Sequence, residues 1–174
     1  NEIWEKELRK IFVESKSEEQ KEIFYTALYH SFLAPNIYTD TDGNYTGTDL
    51  KKHHTEDNHY TVFSLWDTFR ATHPLFTLVQ QEKTNEFIRT FLRQYKQGGQ
   101  LPIWELAANY TGCMIGYHAI PVIVDAYVKG LRNYDVDLAL KAMIHSASSD
   151  DLGLNWYKKN GFIAASDEPE SVSK

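Results

Sequence analysis

The sequence predicts an all-α fold of paired helices with a small β-hairpin excursion. Three observations predict it. Apolar residues return at helical spacing through most of the 174-residue chain. Breakers stand between the helical segments, at Pro35, Gly98-Gly99, Gly130 and Gly161. The connections alternate long and short, which suits a barrel of helix pairs whose long loops gather at one end.

Ile3, Trp4, Leu8, Ile11 and Phe12 fall on one stripe with charges between them, and so predict a first helix. Ser17 is placed to cap a second, with Gln20 as its capping-box partner. Ile23, Phe24, Ala27, Leu28, Ser31 and Phe32 carry that helix to about Ala34, where Pro35 stops it. Ile37-Tyr38-Thr39 and Tyr45-Thr46 have strand propensity, and Asp42-Gly43-Asn44 between them is a turn signal, so a hairpin is expected. The polar run from Lys51 to His59 follows as an irregular loop, and connections this long are usually functional or disordered. Thr61 to Arg70 leads into a helix through Leu75, Phe76, Leu78 and Val79, with Pro74 as a kink or restart. Phe87, Ile88, Phe91, Leu92 and Tyr95 line the next helix, which Gly98-Gly99 ends.

The stretch from Gln100 to Gly130 organises the chain. Pro102 keeps Leu101-Pro102-Ile103-Trp104 out of a helix interior. Gly112 and Gly116 permit close backbone approach around Cys113 and Met114. A buried helix is expected from Ile115 to Leu131, so a polar loop sits at its mouth, a site in outline. Asp135 caps a further helix through Leu138, Ala139, Ala142 and Met143, and a last one begins near Asp151 and closes at Gly161.

The length suits one domain or a large piece of one. The chain opens straight into a helix, and Ser171 to Lys174 reads as the start of another. A single partial domain over 1–174, a fragment of something longer, is therefore expected. Net charge is −6 with no basic run, which argues against a nucleic-acid partner or an anionic membrane surface. No apolar run approaches the roughly 18 residues that span a bilayer. One cysteine excludes an internal disulfide framework. The aromatic fraction of 14% is high, and rings that are not core suit a carbohydrate cleft, where a sugar's apolar face stacks.

Several residues are candidates for chemistry. His53, His54, Glu56, Asp57 and His59 form the densest ligand-type cluster, and a solvated loop is favoured over a metal cage because metal-motif spacing is missing. Trp66-Asp67 with Arg70 has two readings: a core indole beside an i,i+3 ion pair, or an indole and a carboxylate holding a sugar. Glu105, after Trp104, is either a surface glutamate or a carboxyl kept neutral for general-acid work. Trp104 and His118, in the organising stretch, are further substrate-binding candidates. Asp125 is expected to pair with a backbone group or a lysine, and Cys113 lacks an evident base.

HYTVFSLWDTFRATHPLFTLVQ, GGQLPIWELAANYTGCMIGYHAIPVIVDAYVKG and the terminal EPESVSK together resemble glycoside hydrolase family 92, the calcium-dependent exo-acting α-mannosidases. The resemblance runs from about His54 to Lys174, in the family's order. It implies a β-sandwich followed by an (α/α)6 six-hairpin barrel, of which this chain is the N-terminal portion. It implies hydrolysis of terminal α-mannosides with inversion, by a glutamate acid and an aspartate base about 6.5–9.5 Å apart. It implies a Ca2+ that contacts the mannose hydroxyls, and a secreted, periplasmic or cell-surface location.

Residue by residue, the resemblance places Trp66 and Asp67 at the terminal mannose and Glu105 as the general acid. Some relatives carry a glutamate a few positions on, where this chain has Tyr110. Glu170 matches an acid that contacts the leaving-group sugar; α-1,2-specific members carry histidine before it, where this chain has Pro169. The base lies in a later motif, so the chain alone is expected to be inactive. A carbohydrate-binding helical domain without catalysis, or a six-hairpin glycosidase of other specificity, remains the alternative.

Overall fold

The computed structural model describes residues 2–167. Helix α1 (Glu2–Leu8) and helix α2 (Glu18–Ser31) pack on each other as the stripe pattern predicts, although α1 stops before Ile11 and Phe12. Ser17 caps α2, its side chain accepting from the Gln20 backbone N–H. The reciprocal half of the capping box does not form, because the Gln20 amide oxygen accepts from Ser15 instead. Helix α2 ends at Ser31, earlier than the expected Ala34.

The excursion is more strand-rich than expected. Strand β1 (Asn36–Ile37) does not pair across the Asp42-Gly43 turn. It pairs antiparallel with β4 (Tyr60–Thr61), while β2 (Asn44–Thr46) pairs with β3 (Lys52–His54). The turn itself forms, with the Gly43 N–H donating to Asp40 O and the Asp40 N–H to Asn44 O. Local turn chemistry was legible; the strand partners, set by distant backbone, were not. A third small sheet joins β5 (Phe63–Ser64), β6 (Trp104–Leu106) and β7 (Asn109–Tyr110) in that order.

Helix α3 (Leu65–Thr68) follows β5 directly, and Pro74 sits in the first turn of α4 (Thr72–Val79), where its missing N–H costs nothing. Helix α5 (Gln81–Gly98) is the spine, burying Phe87, Ile88, Phe91 and Leu92 on one face and ending at Gly99 in the left-handed conformation. Helix α6 (Ala119–Val128) is shorter than expected, because the backbone at Met114 (φ 63°) and Gly116 (φ 79°) interrupts the apolar pattern upstream. Asp135 caps α7 (Val136–Ser148) by accepting from the Leu138 N–H, and α8 (Leu154–Asn160) closes at Gly161.

The core joins Tyr60, Phe63 and Leu65 to the buried faces of α4, α5, α6 and α7. Full burial of each leucine, isoleucine, valine or phenylalanine among them contributes about 1.5–3 kcal/mol. The C-terminal ends of α5 and α7 lie together, with the Gln100 amide donating to Asp151 and the Leu101 N–H to Ser146 Oγ (2.9 and 3.0 Å). At the other end, Lys129 after α6 reaches Thr77 near the end of α4, 2.9 Å away. The β5–β6–β7 sheet and the long 111–118 loop therefore gather at the end where α5 and α7 finish.

Candidate active site

The sheet at that end sorts the candidate residues onto two faces. Ser64 pairs with Trp104, and Phe63 pairs with Glu105. Opposed residues of an antiparallel ladder project to the same side, and successive residues to opposite sides. Trp104 thus shares a face with Ser64, whose hydroxyl donates to the Asp67 carboxylate. Glu105 shares the inner face with Phe63 and with Tyr110, its partner on β7.

Around Trp66 the structure brings four expected or neighbouring residues together. The Arg70 guanidinium lies over the indole of Trp66 at 4.6 Å and over Phe69 at 5.0 Å from the ring centroids. Phe69 in turn lies against His118, centroids 4.3 Å apart and ring planes tilted by 35°. Among the described residues Arg70 has no carboxylate partner, so the i,i+3 pair with Asp67 does not form. Helix α3 is only four residues long, and Arg70 falls beyond its end. Burial and the Arg70 charge hold the His118 imidazole below its ordinary pKa. The ring is seated over Gly116, where a Cβ would come within 2.3 Å of Cε1.

Glu105 lies on a strand and not on a loop, and its side chain is 2% exposed. Its Oε1 accepts from Thr61 Oγ1 at 3.1 Å and from the Ala108 N–H at 2.8 Å. Its Oε2 is sealed from solvent and has no hydrogen-bond partner among the described residues, and the same holds for both amide atoms of Gln94, also 2% exposed. Burial raises the carboxyl above its ordinary pKa, against the opposing pull of the hydrogen bonds from Ala108 and Thr61. The shift is in the direction that a general acid needs. Its reach is limited, because the side chain projects to the sheet face opposite Trp104 and Oε2 is sealed from solvent. Glu105 forms the floor of a pocket of about 300 Å³, whose other walls include Gln94, Tyr110, Gln100, Asp151 and Leu152.

The histidine-rich segment is held by ordinary partners. His53 contacts Asp49 at 2.8 Å and His54 contacts Glu56 at 3.0 Å. His59 is buried, stacked on Tyr45 at 4.0 Å, and accepts from Arg93 Nε. Asp57 receives both Nε and Nη2 of Arg89, which ties the segment to α5. No group of three or more His, Cys, Asp or Glu side chains among the described residues is placed to hold a metal ion. Asp125 pairs with Lys129 at 2.6 Å, Cys113 is exposed, and Glu170 lies outside the described residues.

Thr61 and Gln94 escaped the sequence reading. Thr61 carried no signal, but Gln94 sits three residues after Phe91 and seven after Phe87, a polar side chain on the apolar stripe of α5.

The glycosyl hydrolase family 92 catalytic domain matches residues 1–174. The chain belongs to glycosyl hydrolase family 92. Among solved structures of family 92, the α-mannosidase BT3965 of Bacteroides thetaiotaomicron is 40% identical with a TM-score of 0.88, over 95% of this chain and 23% of that one. The same enzyme in complex with mannoimidazole matches equally, at 40% identity and TM-score 0.88 over 95% and 22% of the two chains. The inverting mannosidase BT2199 of Bacteroides thetaiotaomicron is 33% identical with a TM-score of 0.83, over 93% of this chain and 23% of that one. No curated protein matches. The chain thus spans about a quarter of the length of the family 92 structures it resembles.

Proposed function

We propose that the full-length protein hydrolyses terminal α-linked mannose from mannose-containing oligosaccharides, with inversion, and that this chain supplies part of an (α/α)6 barrel and one wall of its sugar site. The observation that carries the reading is the 40% identity, over 95% of this chain, to an α-mannosidase. The mannoimidazole complex of that enzyme supports a mannose-shaped ligand.

In this reading Trp66, Asp67, Arg70, Trp104 and His118 make the mannose-facing surface. Trp66 and Trp104 offer apolar faces to the sugar ring. Asp67, fixed by Ser64, accepts from sugar hydroxyls, and Arg70 and His118 donate to or accept from them. The pocket above Glu105 and beside Tyr110 takes the neighbouring sugar unit, and Glu170 contacts the leaving group. Inversion needs a base on the opposite side of the ring, and the family resemblance puts it in a later motif, so the isolated chain hydrolyses nothing.

Calcium dependence, which the family resemblance implies, belongs to the full-length protein; the described residues contain no group of three or more His, Cys, Asp or Glu placed to hold the ion.

Proton NMR of an aryl α-mannoside turned over by the full-length protein, with and without a calcium chelator, tests the reading. β-Mannose appearing first, and only without chelator, supports it. α-Mannose appearing first, or no mannose at all, contradicts it.

A further inference from the structure

The β6–β7 connection is a two-residue hairpin turn made of Ala107 and Ala108, since Leu106 pairs with Asn109. Both alanines have positive φ, 48° and 67°. Primed hairpin turns require this geometry and usually obtain it with Asn-Gly or Gly-Gly, because a Cβ resists the left-handed region. Two alanines therefore hold a conformation that they do not favour. Something else in the structure must fix it.

Thr61 and Glu105 do so together. The Ala107 N–H donates to Thr61 Oγ1 at 2.6 Å, and the Ala108 N–H donates to Glu105 Oε1 at 2.8 Å. Thr61 Oγ1 donates its own proton to the same Oε1 at 3.1 Å. Both backbone donors of the strained turn are thus caught by one hydroxyl–carboxyl pair, and Thr61 and Glu105 are both buried. The strand that leaves the turn carries Tyr110, which stands opposite Glu105, is 49% exposed and lines the 300 Å³ pocket.

We infer that Glu105 is a positioning residue, which with Thr61 clamps the Ala107-Ala108 turn and so holds Tyr110 against the sugar unit entering the pocket. The inference rests on the mannoside-hydrolase reading for the identity of the ligand alone. Oε1 is committed to the turn, and Oε2 is sealed from solvent inside the protein. A carboxyl used this way is not free to protonate a leaving group.

Four variants of the full-length protein test it. Glu105→Gln keeps the acceptor for the turn and offers an N–H to Gln94. Thr61→Val and Glu105→Ala break the clamp from either side. Glu105→Ala combined with Ala108→Gly breaks the clamp but relieves the turn.

Two readouts are combined: kinetics on an aryl α-mannoside and on an α-mannobiose, and amide hydrogen exchange of the 104–111 segment. Glu105→Gln is expected to stay within about threefold of wild type on both substrates, with unchanged exchange. Thr61→Val and Glu105→Ala are expected to raise KM about tenfold on both substrates, with a smaller effect on kcat and faster exchange. Ala108→Gly is expected to recover most of the KM lost in Glu105→Ala.

A loss of about a hundredfold or more in kcat for Glu105→Gln on mannobiose, with the aryl substrate spared, would make Glu105 the proton donor and overturn the inference. Unchanged exchange in both Thr61→Val and Glu105→Ala would overturn it as well. Should the wild-type protein release no mannose, the functional reading falls, and the exchange comparison still decides the clamp.

Discussion

Arg70 lies over Trp66, its guanidinium carbon 4.6 Å from the indole centroid, and not beside Asp67 three residues earlier. The cation is held by two ring faces and by its own donation to the Trp66 carbonyl. Among the described residues Asp67 is left with only a neutral partner, the Ser64 hydroxyl. Such a carboxylate keeps acceptor capacity for a ligand.

Trp66→Ala in the full-length protein is expected to raise KM for an α-mannoside at least about tenfold, since it removes a stacking face and the support of Arg70. Arg70→Ala is expected to cost no more than about 1 kcal/mol of stability, the scale of an exposed cation–π contact. Steady-state kinetics and urea midpoints check the two separately.

Gly116→Ala is expected to be damaging at a distance. The new Cβ would meet the His118 ring at 2.3 Å, and the residue sits at φ 79°. The strain alone costs about 1 kcal/mol or more, and the ring must leave Phe69. The measurement is a denaturation midpoint together with affinity for a mannose analogue; both should fall.

His73 and His59 make the fold acid-sensitive. The His73 ring lies among Phe76, Phe87 and Phe91, and burial pushes its pKa down to about 4. Burial, with the Arg93 and His53 charges, pushes His59 down to about 3. Both titrate near 6.5 in an unfolded chain. Below that pH the unfolded state binds more protons, so their contribution is full above 6.5 and is lost as pH falls toward 4 for His73 and 3 for His59. Each group adds a slope of up to about 1.4 kcal/mol per pH unit in its window. Urea midpoints at pH 7, 5.5 and 4.5 should show a shallower decline in His73→Leu than in wild type, and parallel declines would refute the assignment.

Asp57 anchors the histidine-rich segment through Arg89, with Arg93 at 3.6 Å. Asp57→Ala is expected to cost about 1.5–3 kcal/mol, because two partly buried guanidinium groups lose a charged acceptor. A chemical-denaturation curve measures it.

The helices were legible because each carries its own periodic signal and caps: Ser17, Gly99, Asp135 and Gly161 all stand where the sequence puts a boundary. The partners of the short strands were not. Tyr45 and Ile37 lie close in sequence, yet their segments pair with His53 and Tyr60, and no local propensity encodes that choice. Trp66 and His118 could be named from residue type, but their link through Phe69 is a product of the fold. At Glu105 the residues alone left a surface glutamate and a carboxyl kept neutral both open; the side chain is buried, and burial raises its pKa. Which way the carboxyl points depends on strand alternation at Trp104-Glu105, and that required knowing that the segment is a strand.

The proposed function makes this chain part of a mannoside-cleaving site. The most direct measurement is mannose release from α-1,2-, α-1,3- and α-1,4-linked mannobiose by the full-length protein, beside its Asp67→Asn variant. Release from at least one linkage by the wild type, reduced about a hundredfold or more in the variant, is the predicted result. No release from any linkage, or equal release by both proteins, would contradict the account.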